Sequence, residues 1–377
     1  MIRFQLSKVI NFSKSIICIG ALSLLTPTVF AQSGSDLPRS TVEAISINGA
    51  QRTQIESFIE AWTARAKGDN PADTRKALEA LTKPLQERGV SVAFRQAYAT
   101  AISPLMNSLD ADDSIGSSLS SLRIAGDLGT PTAATRIKSG LDSDDLGVLI
   151  FATSRAGQLF STTKRHGPAM TPNDAIGVIN AIRTRGIDSA AEPELIRASI
   201  RALSIAASLP SSDMGDARSL AIVALSDIVG PRLRSLSISD DPSFELSLSI
   251  DASAASTASI SDISSQTTPE AVKAAVGLGG DVISISLRRV LGKTIEPTSE
   301  RDLTIRATRA GETLLYFALQ KHAELSNAAN GNIRQTNFAD QLESGDDKAF
   351  RNAASLFLGP GSFVVTEFDF ADERFLR

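Results

Sequence analysis

A unit written twice constrains this chain more than any other feature. Leu109-Asp110-Ala111-Asp112-Asp113 returns 32 residues later as Leu141-Asp142-Ser143-Asp144-Asp145. Arg123-Ile124-Ala125-Gly126 likewise returns as Arg155-Ala156-Gly157, with the arginines in register and the glycines slipped by one. An acidic turn followed by an apolar, Ala-rich run at a fixed period is the sequence form of a stacked helical repeat. The carboxylates suit the free N–H groups and positive end of the helix that follows. Aromatics make up 5% of the chain and alanine, leucine and serine are abundant, which favours close helix packing over a β-sandwich.

The first 31 residues read as an export leader. Arg3, Lys8 and Lys14 precede the apolar run Ile16–Leu25, and Thr28-Val29-Phe30-Ala31 offers small residues for cleavage after Ala31. Cys18, the only cysteine, lies inside that run and not at its end, so a lipoprotein signal is not indicated. The mature chain of 346 residues would then hold no disulfide and no thiolate ligand. Its 35 basic and 42 acidic residues leave a net charge of −7, which argues against nucleic acid or an anionic membrane as the main partner. No later segment is apolar for long enough to span a bilayer, so a periplasmic or secreted location is expected.

Residues 32–49 read as a flexible lead-in, 50–358 as a helical repeat domain and 359–377 as a Phe-rich extension. Ile55, Phe58, Ile59, Trp62 and Ala66 recur at helical spacing. Asn70-Pro71 and Ser91 start two further helices, with Pro84 and Pro104 as expected kinks or ends. The second copy should end in a polar loop, Ser161–Asn173. Asp174–Arg185, Glu194–Leu209, Asp216–Leu233, Pro269–Leu291 and Glu300–Leu325 continue as helices, the last capped by Ser299, and Asp346–Leu358 is a short final one. A third acidic turn, Asp240-Asp241-Pro242, stands 96 residues after Asp144-Asp145. Beyond it a helix to about Thr257 competes with a β-hairpin over Leu236–Ile250, and the flanking helices favour the helix. Phe363–Phe370 reads as a strand or extended segment.

Helix pairs joined by acidic turns, with Arg and Ala-Gly near the helix ends, resemble HEAT-like or armadillo-type repeats, particularly the shorter bacterial kind. Leu109–Gly126 and Leu141–Gly157 carry the resemblance, with weaker echoes at Asp240–Ala255 and Glu300–Gly311, less than a quarter of the chain. The period is shorter than the roughly 40–47 residues of standard HEAT units, and the tetratricopeptide pattern is absent. The resemblance implies an all-α, right-handed α-solenoid of HEAT-like helix pairs that presents a surface to a protein or peptide; it implies no reaction.

Motifs with chemical meaning each meet a structural alternative. Asp110-Ala111-Asp112-Asp113 and Asp142-Ser143-Asp144-Asp145 match the D-x-D-D acid of some α-helical terpene cyclases, but aromatic residues to hold carbocations are scarce. As calcium loops they place Ile115 where glycine is needed in one copy and Thr153 at the closing position in the other. Helix capping is the expectation. His166 and His322, the two histidines, have no third nitrogen or sulfur ligand to complete a zinc site. No serine lies in a G-x-S-x-G elbow. Gly277-Leu278-Gly279-Gly280 lacks phosphate-loop chemistry and reads as a helix break. The tail either covers the open end of the stack or pairs with a partner's sheet edge, the first being favoured.

The sequence therefore points to an exported, non-enzymatic scaffold with a protein partner, no cofactor, no metal and no catalytic residue. An all-α enzyme using paired carboxylates on polysaccharide, and a self-assembling structural protein, are the alternatives.

Overall fold

The computed structural model describes residues 36–376 except 69, 113, 189, 265, 293–297, 327–332 and 334. The expected leader, Cys18 and Asp113 lie outside the described residues. Every regular element among the described residues is helical. In order they are α1 (Arg39–Val42), α2 (Gly49–Ala66), α3 (Pro71–Gln86), α4 (Val92–Asp110), α5 (Ile115–Leu128), α6 (Pro131–Leu141), α7 (Leu146–His166) and α8 (Pro172–Gly186). There follow α9 (Pro193–Ala206), α10 (Ser211–Ser235), α11 (Ser243–Ile260), α12 (Pro269–Leu291), α13 (Thr298–Leu325), α14 (Phe338–Glu343), α15 (Asp347–Leu358) and α16 (Phe363–Glu367). No described helix is long and apolar enough to cross a membrane.

Local chemistry sets many of the helix starts. Asn48, Asn70, Ser91, Ser114, Asp145, Thr171 and Thr268 each accept a bond from a first-turn N–H, and proline opens α3, α6, α8, α9 and α12. Pro84 and Pro104 sit inside α3 and α4 without ending them, and Pro231 sits inside α10, which is kinked at Met214 (φ −132°, ψ 24°).

The helices pack in two interleaved rows. In one, α3, α5, α7, α9, α11 and α13 each touch the next; in the other, α6, α8, α10, α12 and α15 do, and chain neighbours such as α5 and α6 or α9 and α10 join the rows. A single apolar cluster runs from Leu37 to Phe375. In the first row the Arg-Ala-Gly motifs mark close approaches. A Cβ on Gly126 would stand 3.2 Å from the Arg155 carbonyl oxygen, and one on Gly157 3.4 Å from Cα of Ala202. The repeated glycine is therefore a packing device, letting α5 meet α7 and α7 meet α9 backbone to backbone.

Arginines tie the second row end to end. Arg136 of α6 pairs with Asp110 and bonds Asn107 at the end of α4. Arg185 of α8 donates to the Leu141 carbonyl that ends α6 (2.9 Å), and Arg232 of α10 to the Asp188 carbonyl just beyond α8 (2.7 Å). Arg288 of α12 donates to the Leu233 carbonyl near the end of α10 (2.7 Å). The guanidinium groups of Arg185, Arg232 and Arg288 satisfy carbonyls that a helix leaves open at its negative end, whereas Arg136 meets two side chains. A second set of rungs runs the other way, from Arg183 to Asp227 (2.6 Å) and from Arg234 to Asp281.

Several expectations are corrected. Phe363–Phe370 is not a strand. Ser362 caps a single helical turn by accepting from Val365 N–H (3.3 Å), and Val364 and Val365 bury on one side. An all-helical body offers this segment no sheet edge, so it satisfies its backbone locally. Gly277–Gly280 does not break α12; these glycines leave room for Arg374 and Phe375 of the tail and for Leu315 of α13. Leu236–Ile250 contains no hairpin, and α11 occupies its second half. The expected loop at Ser161 belongs to α7 as far as His166, and Ser299 lies inside α13. Within the expected lead-in, Thr41 and Val42 are buried, and Ser91 N–H bonds the Val42 carbonyl (3.1 Å).

The tail packs back against α12 and α13. Phe375 is fully buried, Arg374 Nη2 bonds Asp281 Oδ2 (2.9 Å), and His322 Nε2 lies 2.8 Å from Glu367 Oε1.

Candidate functional site

Of the acidic turns, only the second caps its helix, through Asp145; Ser114 caps α5, no side chain caps α11, and Asp112 and Asp241 each bond the N–H two residues on. Asp112 accepts from the Ser114 N–H (3.3 Å) and the Ser117 hydroxyl (2.6 Å), which hold its carboxyl below the ordinary range. Asp145 accepts from Val148 N–H (2.9 Å), and Asp241 from Ser243 N–H (3.0 Å). The turns at Asp112, Asp144–Asp145 and Asp240–Asp241 precede α5, α7 and α11, all in the first row, with α9 between the last two. Asp110 and Asp142 do line one cavity of about 320 Å³, but Asp110 is committed to Arg136 and is no free acid or base. Among the described residues no group of three His, Cys, Asp or Glu side chains is placed to hold a metal ion. His166 sits at the end of α7, where burial and then Arg95 hold it below its ordinary value, while His322 is engaged with Glu367.

The structure instead brings together residues that the sequence left scattered, along the first row. Asp127 of α5, almost wholly buried, accepts from Gln86 of α3 (3.0 Å) and Gln158 of α7 (2.9 Å), a polar bridge across three helices. Burial raises the Asp127 carboxyl, and the amide donors and the nearby Arg155 and Arg123 oppose that shift. Beside it a groove of about 570 Å³ runs between α7 and α9, lined by Arg155, Gln158, Arg197 and Arg201, with Glu194 the one acid. The Arg155 guanidinium stands 4.9 Å over the Phe151 ring and that of Arg197 5.0 Å over Phe244 of α11. Rings hold both cations in place without neutralising them. The groove is thus locally basic on an acidic chain, and close helix packing at Gly157 and Ala202 forms its floor. The doubled Arg-Ala-Gly was the available signal for Arg155; Arg197 and Arg201, in a helix without the repeated motif, gave none.

No protein-family model matches this chain, and no curated protein matches it in sequence.

Proposed function

We propose that the chain is an α-solenoid scaffold of helix pairs that binds another protein along the first-row face, with the groove between α7 and α9 receiving an acidic segment of that partner. The observation that carries this reading is the groove itself: three arginines against one glutamate, set between consecutive helices of a two-row stack. Stacked repeats of this kind present extended faces, and a locally basic groove favours and steers acidic partners. The leader read at Met1–Ala31 makes an envelope or extracellular partner the expected one. Local bonds to helix-start N–H groups and to Arg136 account for Asp110, Asp112, Asp145 and Asp241 without catalysis, and the buried tail favours a closed end over end-to-end assembly.

The test uses the mature chain as bait in native envelope and culture fluid, beside an Arg197→Glu/Arg201→Glu bait. Both positions are exposed, so the fold should tolerate the change. A partner held by the first bait and lost by the second supports the reading. A partner held equally by both, or hydrolase or lyase activity in the purified chain, contradicts it.

A further inference from the structure

A second basic site lies at the far end of the stack, and the capping tail builds one of its walls. A cavity of about 460 Å³ is bounded by Arg234 of α10, by Lys273 and Arg288 of α12, and by Asp369, Phe370 and Arg374 of the tail. Four cations face it, against a rim carboxylate at Asp369 and the carboxylate of Asp281 behind the wall. Asp281 is fully buried and is shared between Arg234 and Arg374, so it neutralises one of the two. Arg288 spends its terminal nitrogens on the carbonyls of Leu233, Arg234 and Leu236, and its buried Nε has no partner. Lys273 is exposed. The Phe370 ring stands between Lys273 Nζ, 5.6 Å from its centroid, and the Arg374 guanidinium at 4.5 Å, fixing two like charges on one wall. Asp369 is the one described non-glycine residue at positive φ, 50°, a conformation that turns the chain at the cavity rim.

We propose that this cavity binds a small organic anion through a phosphate or carboxylate group held by Lys273, Arg234 and Arg374, with Arg288 adding its charge from the wall. Guanidinium and ammonium donors converging on one space make charge-assisted bonds to either group. The cavity is larger than a bare oxyanion needs and lies in the range of small-molecule sites. Among the residues that line it, Arg234, Lys273, Arg288 and Arg374 outnumber the one acid, Asp369, which suits an anionic ligand. The site stands apart from the α7–α9 groove and does not depend on it.

Isothermal titration of the mature chain at low salt, with inorganic phosphate, glycerol 3-phosphate and citrate as separate probes, tests this. Glycerol 3-phosphate binding more tightly than inorganic phosphate and citrate identifies a phosphoester site; citrate binding most tightly identifies a carboxylate site. Either should show one ligand per chain and weaken about tenfold in Lys273→Gln, the loss of one charge-assisted contact. Phe370→Leu, which leaves the cations in number but frees their positions, should weaken the same probe. Lys273 is exposed, so an unfolded variant is not expected, and a thermal melt of each variant checks that. No heat from any probe, or equal binding by wild type and Lys273→Gln, overturns the proposal.

Discussion

Arg95 shows how much one side chain does here. It projects from α4 into the body, is fully buried, and donates to the carbonyls of Leu128 and Gly129 that end α5 and to those of His166 and Gly167 that end α7. Burial lowers it to about 10, so it remains charged at neutral pH. Arg95→Met should cost about 3 kcal/mol or more in urea unfolding, because several buried carbonyls lose their donor together. Arg95→Lys should recover only part, since an ammonium lacks the planar fork. Asp127 and Asp262 should respond to pH in opposite directions. The folded chain holds the Asp127 proton more tightly than the unfolded one, so its stabilising contribution is complete below the ordinary value of 3.8 and disappears as pH rises through the raised one. Asp262, bonded first by Ser264 and then by Arg218, is held at about 2, so its contribution is present above 3.8 and lost between there and about 2. Melting temperatures across pH should therefore show Asp127→Asn removing a loss on the alkaline side and Asp262→Asn removing one on the acid side.

Element boundaries were legible wherever one residue type serves one backbone need. Asn70-Pro71, Ser91 and Asp145 each cap the helix expected of them, because a short polar side chain before an apolar run has few other uses. Asp145→Ala should cost about 1 kcal/mol on this account. Glycine was harder to read. The same residue marks a turn at Gly129, with φ of 62°, and a close approach inside a helix at Gly157 or Gly280, and only the neighbours distinguish them. Gly157→Leu should push α7 from α9 at a cost of about 1–3 kcal/mol in unfolding. Gly116→Ala, in α5 with open space around it, should instead gain up to about 1 kcal/mol. The tail phenylalanines misled for a related reason. Apolar alternation over a few residues does not separate a strand from a single helical turn, and the choice fell to Ser362 and to the absence of a pairing edge.

At the scale of the whole molecule, the spacing between the starts of first-row helices varies. Pro71, Ile115, Leu146, Pro193, Ser243 and Thr298 open successive first-row helices, at intervals of 44, 31, 47, 50 and 55 residues. Only the step from Ile115 to Leu146 is close to the written period, which is why the sequence shows two copies and no more. The arginine rungs from Arg185, Arg232 and Arg288 join α6 to α8, α8 to α10 and α10 to α12 at changing separations, so a fixed-period search misses them. The groove was invisible for the same reason, since Arg155 and Arg201 meet only after the stack forms. The tail gives the last rung, Arg374 reaching Asp281 in α12. A chain ending at Gly359 should melt at lower temperature, with Asp281 left one guanidinium short and the Phe375 cleft open to water. The most direct measurement is hydrogen exchange on the mature chain, alone and with its captured partner. Protection gained in the peptides of α7 and α9 is the predicted result; protection confined to the tail beyond Gly359, with α7 and α9 unchanged, would contradict the account.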